Sequence, residues 1–306
     1  MQALQSSVKI MSENIKANEK LTVVFDGSYE DEPSIRELVI EEGIVEIAEN
    51  AFRDFKNLEK VTLPRSLRKI SACAFAGCEN LKSVTIPHGV EQICDEAFSS
   101  CPALCEIYIP DSCKGIGEGC FEGCAALSSV RLSESILTIG AGAFAYCFNL
   151  GCITVPDSCI LVEFNAFCGC FSLESVKLSD NMPLIDESTF EGCRSLKFIE
   201  MPTKLVKIGR RAFKNCTSLS SIILPVGMST IGFDAFAGCS LLERIAIPKE
   251  LSEIEDGDVF SGCDKLKSIS YGGSREGWES LNRGKTLTVQ RSDLSTFSPT
   301  VSFMNL

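Results

Sequence analysis

The residues of this chain best suited to chemistry are its 17 cysteines. Thiolates act as nucleophiles, redox groups and ligands for soft metals. Three close pairs, Cys101 with Cys105, Cys120 with Cys124 and Cys168 with Cys170, approach the short spacing of structural zinc ligands. Zinc needs two such pairs converging tetrahedrally. Here one member of each pair belongs to a regular column, Cys78, Cys101, Cys124, Cys147, Cys170, Cys193, Cys216, Cys239 and Cys263. A column of this kind reads as an inward-facing position whose thiols serve as small buried hydrophobes. Stacked turns repeat at about 4.8 Å, and parallel side chains at that spacing hold Cβ atoms beyond the usual ~3.8 Å of a disulfide. The column is therefore expected to be reduced, buried and free of metal.

Other chemistry is equally sparse. His88 is the chain's single histidine, so any Ser-His-Asp or Cys-His arrangement would have to use it, and no Gly-x-Ser-x-Gly elbow accompanies it. It follows Pro87 in a loop and reads as a solvated side chain. Gly117-Glu118-Gly119 and Gly140-Ala141-Gly142 do not open a long helix after a Rossmann-type strand. Acidic pairs are scattered, and Asn215-Cys216-Thr217 is an isolated glycosylation sequon. The sequence thus predicts no catalytic residue, no cofactor and no metal site, hence a protein that is not an enzyme.

The cysteine column belongs to a longer pattern. Phe52, Phe75, Phe98, Phe121, Phe144, Phe167, Phe190, Phe213, Phe236 and Phe260 recur at 23-residue spacing, the last at 24. Cysteine follows by three residues, with Phe55 the exception, and leucine by six, from Leu58 to Leu266. A fixed period in this range marks a solenoid, in which one repeat cannot bury its own apolar face and stacking makes the core continuous. Apolar residues immediately before Phe, at Phe and three beyond fit one helical turn laid on the core. Alternation nine and eleven residues after Phe (Val84 and Ile86, Ile222 and Leu224) predicts a short strand, closed by proline in seven copies from Pro64 to Pro248.

These elements suggest five segments: a disordered N-terminal stretch over 1–20, an N-terminal cap with a partial repeat over 21–51, repeats over 52–271, a C-terminal cap over 272–290 closed by Trp278, and a flexible tail over 291–306. Residues 1–20 contain no apolar leader, and no apolar run is long enough for a membrane helix. With 29 basic against 41 acidic residues the net charge is −12, which disfavours nucleic acid and anionic membranes as partners. A monomer that binds protein partners is expected.

The segment Leu81-Lys82-Ser83-Val84-Thr85-Ile86-Pro87-His88-Gly89-Val90-Glu91-Gln92-Ile93, followed by Ala97-Phe98 and Cys101, resembles the BspA-like, or Treponema pallidum-type, leucine-rich repeats almost position for position. Tyr271-Gly272-Gly273-Ser274-Arg275-Glu276-Gly277-Trp278 resembles that family's usual ending. The resemblance covers about residues 35–271. It implies a right-handed leucine-rich-repeat solenoid of mainly short parallel β-strands with one helical turn per 23-residue repeat. It also implies a cell-surface or secreted protein that acts in adhesion or in binding host and surface proteins, with no catalytic residues. An intracellular scaffold or recognition module is the alternative, suggested by the reduced thiols and the missing leader, so a cytoplasmic location stays open.

The outward strand positions, eight and ten residues after each Phe, are mostly Ser and Thr. Tyr108, Arg131, Lys177 and Phe198 are the bulky exceptions and the candidate partner-binding residues, being mainly of types enriched at protein interfaces. Phe148 and Phe171, both four residues after the repeating Phe with Tyr146 nearby, form a second candidate, an exposed aromatic ridge.

Overall fold

The structure, a computed structural model, describes residues 7–10, 22–23, 35–255, 259–281, 289–290 and 296–303. The chain is a parallel-strand β-solenoid made of two compact units, Met1–Leu150 and Gly151–Leu306.

In the first unit the main strands Ser7–Ile10, Glu37–Ile40, Lys60–Thr62, Ser83–Val84, Glu106–Tyr108 and Ser129–Arg131 pair in parallel, in sequence order. A second row of two-residue strands, from Thr22–Val23 through Lys69–Ile70 to Thr138–Ile139, also pairs in parallel. The second unit repeats this plan. Cys152–Thr154, Ser175–Lys177 and Phe198–Glu200 form one sheet, and Ser221–Ile223, Arg244–Ile247, Ser268–Tyr271 and Thr300–Phe303 another. Its second row runs from Leu184–Ile185 to Glu253–Ile254. Within three-residue main strands such as Lys60–Thr62, Glu106–Tyr108 and Ser175–Lys177 the central β-branched residue, Val61, Ile107 or Val176, points inward and its two neighbours point outward.

The interior is a stack of identical rings. Phe52, Phe75, Phe98, Phe121 and Phe144 lie 5.2–5.6 Å apart with planes within 19°. Phe167, Phe190, Phe213, Phe236 and Phe260 continue at 5.5–5.9 Å in the second unit. The thiols of Cys78, Cys101, Cys124, Cys147, Cys193, Cys216, Cys239 and Cys263 each donate to the carbonyl of the Phe one repeat earlier, at 3.3 Å from Cys78 Sγ to Phe52 O and at 3.1 Å from Cys239 Sγ to Phe213 O. Phe55, which stands where later repeats have cysteine, packs edge-on against Phe52 instead.

The expected helical turn around each Phe is not there. Residues two before and two after the Phe have positive φ, as in Cys73 at 54° and Gly77 at 74°, or Arg211 at 55° and Asn215 at 61°. Two left-handed residues four apart preclude an α-helix. Backbone bonding confirms the difference. The N–H groups of Cys73, Phe75 and Gly77 reach the carbonyls of Asp95, Ala97 and Ser99 in the next repeat, while those of Ala74, Ala76 and Cys78 close tight turns onto residues three earlier. A helix would satisfy only itself, whereas this alternation ties every turn to its neighbour. The glycines that precede the turn answer to the same close stacking. A Cβ on Gly140 would lie 2.7 Å from the backbone of Gly117, and one on Gly232 would lie 2.6 Å from that of Gly209.

The ends differ from expectation as well. Ser7–Ile10, inside the stretch expected to be disordered, pairs with Glu37–Ile40, and Thr300–Phe303, inside the expected tail, pairs with Ser268–Tyr271. The rest of 1–20, and 282–288 of the expected C-terminal cap, lie outside the described residues. Arg275–Leu281 is the one α-helix among the described residues. Ser274 caps it by accepting the Gly277 N–H, and it delivers Trp278, buried, against Tyr271 at 5.5 Å. Among the described residues no helix is long and apolar enough to cross a membrane.

Two substitutions check this packing. Phe213→Ala should lower unfolding stability in urea by about 3–5 kcal/mol, since it removes a ring stacked on both sides. Trp278→Ala should lower the melting temperature or promote self-association by uncovering the last repeat. A wild-type melting profile from either variant would show that these rings are not structural.

Candidate functional site

The cysteines, the most reactive groups in the sequence, are placed by the fold where they react least. All 17 are free thiols, and every member of the repeating column is buried. Burial pushes the Cys124, Cys193 and Cys239 thiols well up from the ordinary value, and that of Cys263 to about 12. Cys105 and Cys152 are the exposed exceptions. Among the described residues no group of three or more His, Cys, Asp or Glu side chains could hold a metal ion. The remaining candidate residues lie on the outward face of the main strands and beside it.

In the first unit that face gathers two groups around one ring. Arg131 is the cross-strand partner of Tyr108, and its guanidinium lies 5.1 Å from the ring centroid. His88 meets the other side edge-on at 6.1 Å. Beside them opens a groove of about 600 Å³ whose lining includes Lys60, Thr62, Arg65, Thr85, His88 and Tyr108. Strand residues form its floor, and its wall comes from the loop position 13 residues after each Phe, occupied by Arg65 and His88. The side chain of Glu42, 23 residues before Arg65, accepts the Arg65 and Ser66 backbone N–H groups, which hold it below the usual carboxylate range. Asp111, 23 residues after His88, likewise accepts the Glu134 N–H at 3.0 Å.

One strand position earlier, charge runs in a ladder: Glu59 joins Lys82 and Arg36, which lower its pKa through hydrogen bonds, that with Lys82 the larger. In the second unit, Glu174 with Lys197 and Glu243 with Lys267 repeat the pairing.

The second unit's face is more apolar. Phe198 is 63% exposed, and Ile223, two residues past the equivalent position of the next repeat, is 76% exposed. Lys177 lies opposite Glu200, and Phe198 opposite Ser175. Phe148, in the first unit, is exposed and contacts Tyr146 edge-on at 6.3 Å. Phe171, in the second, is half-buried under the Arg194 guanidinium at 4.5 Å. Of the six candidates, then, Tyr108 and Arg131 form a direct pair, and Lys177 and Phe198 share a face on neighbouring strands.

Sequence reasoning read His88 as a solvated side chain and passed over Arg65. The available signal was their shared column, which is cationic or imidazole in these two copies and acidic in Asp111, Glu134, Asp157 and Asp180.

Parallel strands stacked at a 23-residue period, with no long helix among the described residues and an inward Leu and Phe in each copy, define a leucine-rich-repeat solenoid. The family model for the BspA-type leucine-rich repeat region matches residues 6–72, 45–171 and 161–279, and the chain belongs to that family. Among solved structures it is similar to a leucine-rich repeat protein from Bacteroides ovatus, at 25% identity and a TM-score of 0.52, covering 98% of this chain and 92% of that one. It is also similar to a leucine-rich cell surface protein from Faecalibacterium prausnitzii (28% identity, TM-score 0.44, 81% and 82% covered) and to the T. pallidum leucine-rich repeat protein (27%, 0.44, 60% and 78%). No curated protein matches the chain.

Thiol labelling separates the two kinds of cysteine. In native protein at neutral pH, a maleimide should modify Cys105 and Cys152 first and reach Cys124, Cys193, Cys216, Cys239 and Cys263 only with denaturant. Ladder thiols that label as fast as Cys105 would contradict their placement. The same thiols set a pH dependence. Unfolded cysteine ionises near pH 8.5, whereas the folded thiols hold their protons to higher pH, about 12 for Cys263. Their contribution to stability is complete below the unfolded value and is lost as pH rises toward the folded one. Urea midpoints should therefore be lower at pH 10 than at pH 7.5, and equal midpoints would show that the thiols ionise freely in the folded chain.

Proposed function

We propose that this chain is a non-enzymatic protein-binding solenoid that serves adhesion or the binding of host and surface proteins through the outer face of its main strands. One observation supports this most: the stacked Tyr108 and Arg131 beside a groove, on a face where small Ser and Thr side chains are common. Energy at protein interfaces concentrates in a few aromatic and Arg residues, and Phe198 offers a second such anchor on the other unit's strands. Family membership supports a binding repeat module.

An intracellular scaffold is the second reading, favoured by the exposed free thiols of Cys105 and Cys152, which suit a reducing compartment.

The test uses the whole chain as bait against host extracellular material and, separately, against cell lysate, with captured proteins identified and their affinities measured on purified components. A partner from the extracellular fraction whose affinity drops by about tenfold or more in the Tyr108→Ala/Phe198→Ala double variant is the expected result. Full affinity in that variant would move the interface off the strand face, and a partner found only in lysate would favour the scaffold reading.

A further inference from the structure

The first unit's groove has a charge character opposite to that of the chain. The protein carries −12 overall, yet the groove is lined by Lys60, Arg65 and His88 and by no carboxylate. Lys60 and Arg131 meet no carboxylate at ion-pair distance among the described residues, in contrast to Arg36 and Lys82 one strand position away. The two acidic side chains that flank Arg65 and His88 in their column, Glu42 and Asp111, are already taken up by backbone N–H groups. Glu106, on the strand of Tyr108, is exposed but does not line the groove. The lining of the groove is thus basic, while Glu37, in register opposite Lys60, and Glu106, in register opposite Ser83, share the outward face without lining it.

We propose that this groove binds an extended acidic peptide segment of a partner protein, running across the strands with carboxylates placed to meet Lys60 and Arg65 at one end and Arg131 at the other. The proposal rests on the protein-binding reading and adds the chemistry of the partner. Between the strand of Lys60 and that of Arg131 lie two others, Ser83–Val84 and Glu106–Tyr108. Three inter-strand spacings, together with the two-residue offset along the strand, come to about 16 Å. An extended chain rising about 3.3 Å per residue covers that in four to five residues. The floor between the cations is Thr62, Ser83 and Thr85, small enough to let a backbone lie close and able to hydrogen-bond it, with Ile86, Pro87 and Tyr108 giving apolar contact. Arg131 is held over the Tyr108 ring, so it is positioned before any ligand arrives. Opposite charge placed this way raises encounter rates and selects against basic segments.

Fluorescence anisotropy with labelled nine-residue peptides tests this on the full chain. The probes carry two Glu residues five apart in a Gly/Ser background, the same two adjacent, or two Lys five apart, and a sulfated disaccharide serves as competitor. The spaced acidic peptide should bind tightest, weaken as salt is raised, and lose about tenfold or more in affinity with Lys60→Glu/Arg131→Glu. Lys265→Glu, exposed on the second unit, should leave it unchanged, and circular dichroism and the melting temperature check that each variant is folded. Equal binding of acidic and basic peptides, no binding of the spaced acidic probe, or full affinity in the double variant would overturn the proposal. Tighter binding of the sulfated sugar than of any peptide would do so too, and would assign the groove to a glycan. A protein partner that is captured and sensitive to Tyr108→Ala/Phe198→Ala while no acidic peptide binds would leave the protein-binding reading standing and remove only this inference.

Discussion

One contact recurs throughout the chain and the rest of the fold is arranged to preserve it: a cysteine thiol donating to the carbonyl of the phenylalanine one repeat earlier, under a ring stacked on the ring of that same phenylalanine. The Phe carbonyl already accepts the N–H of the residue three positions on in its own repeat, as Phe75 O does from Cys78 N. The thiol thus fills the second lone pair of a group that has no access to water. Cysteine suits this place because it is a weak donor on an otherwise apolar, compact side chain. The geometry tolerates little variation. Where the period lengthens to 24 residues before Phe260, the strand at Ile254 stays in register with Ile231 and Cys263 still reaches Phe236 O at 3.2 Å. Register is thus kept at Ile254 on one side of this spacing and at Phe260 and Cys263 on the other.

Keeping this contact in register forces the rest of the turn. Alternate N–H groups around each Phe reach forward to the next repeat, which requires left-handed residues on either side. Several of these are not glycine: Glu96, Ser100, Arg211 and Asp234 all adopt positive φ. Such conformations are unfavourable for residues with a Cβ, and they persist because a ladder of bonds on both sides holds them. A helix would not need this arrangement, and it is the point at which periodicity alone misleads. Apolar residues at Phe−1, Phe and Phe+3 match one helical turn, but the same spacing also satisfies two successive tight turns wrapped on one side chain. Positive φ at Cys73 or Tyr146 leaves no mark in residue type.

The core, by contrast, was readable because its demands are the same in every copy. Phe, Cys and Leu recur wherever stacking buries them, and the strands fall where alternation and Pro place them. The outer face has no such repetition. Tyr108 and Arg131 stand out as bulky exceptions in a Ser/Thr column, so they could be picked from the sequence. Arg65 and His88 belong to a loop column, and its nearness to the strand face becomes visible only when the chain after Ile86 and Pro87 turns back along the groove. Their charge is informative only beside the engaged carboxylates of Glu42 and Asp111. The terminal strands Ser7–Ile10 and Thr300–Phe303 escaped for a similar reason, since each gains its pairing from a distant repeat rather than from its own pattern.

If nearest-neighbour stacking is what holds the solenoid, its energy must be coupled between adjacent repeats and not beyond them. Double-mutant cycles in the first unit measure this directly, using Phe→Leu at Phe98 with Phe121 for neighbours and at Phe75 with Phe121 for rings one repeat removed. Urea unfolding should give a coupling of about 0.5–1.5 kcal/mol for the neighbouring pair and additivity within about 0.5 kcal/mol for the separated pair. Additive effects in the neighbouring pair, or equal coupling in both, would contradict a fold built on contact between successive turns.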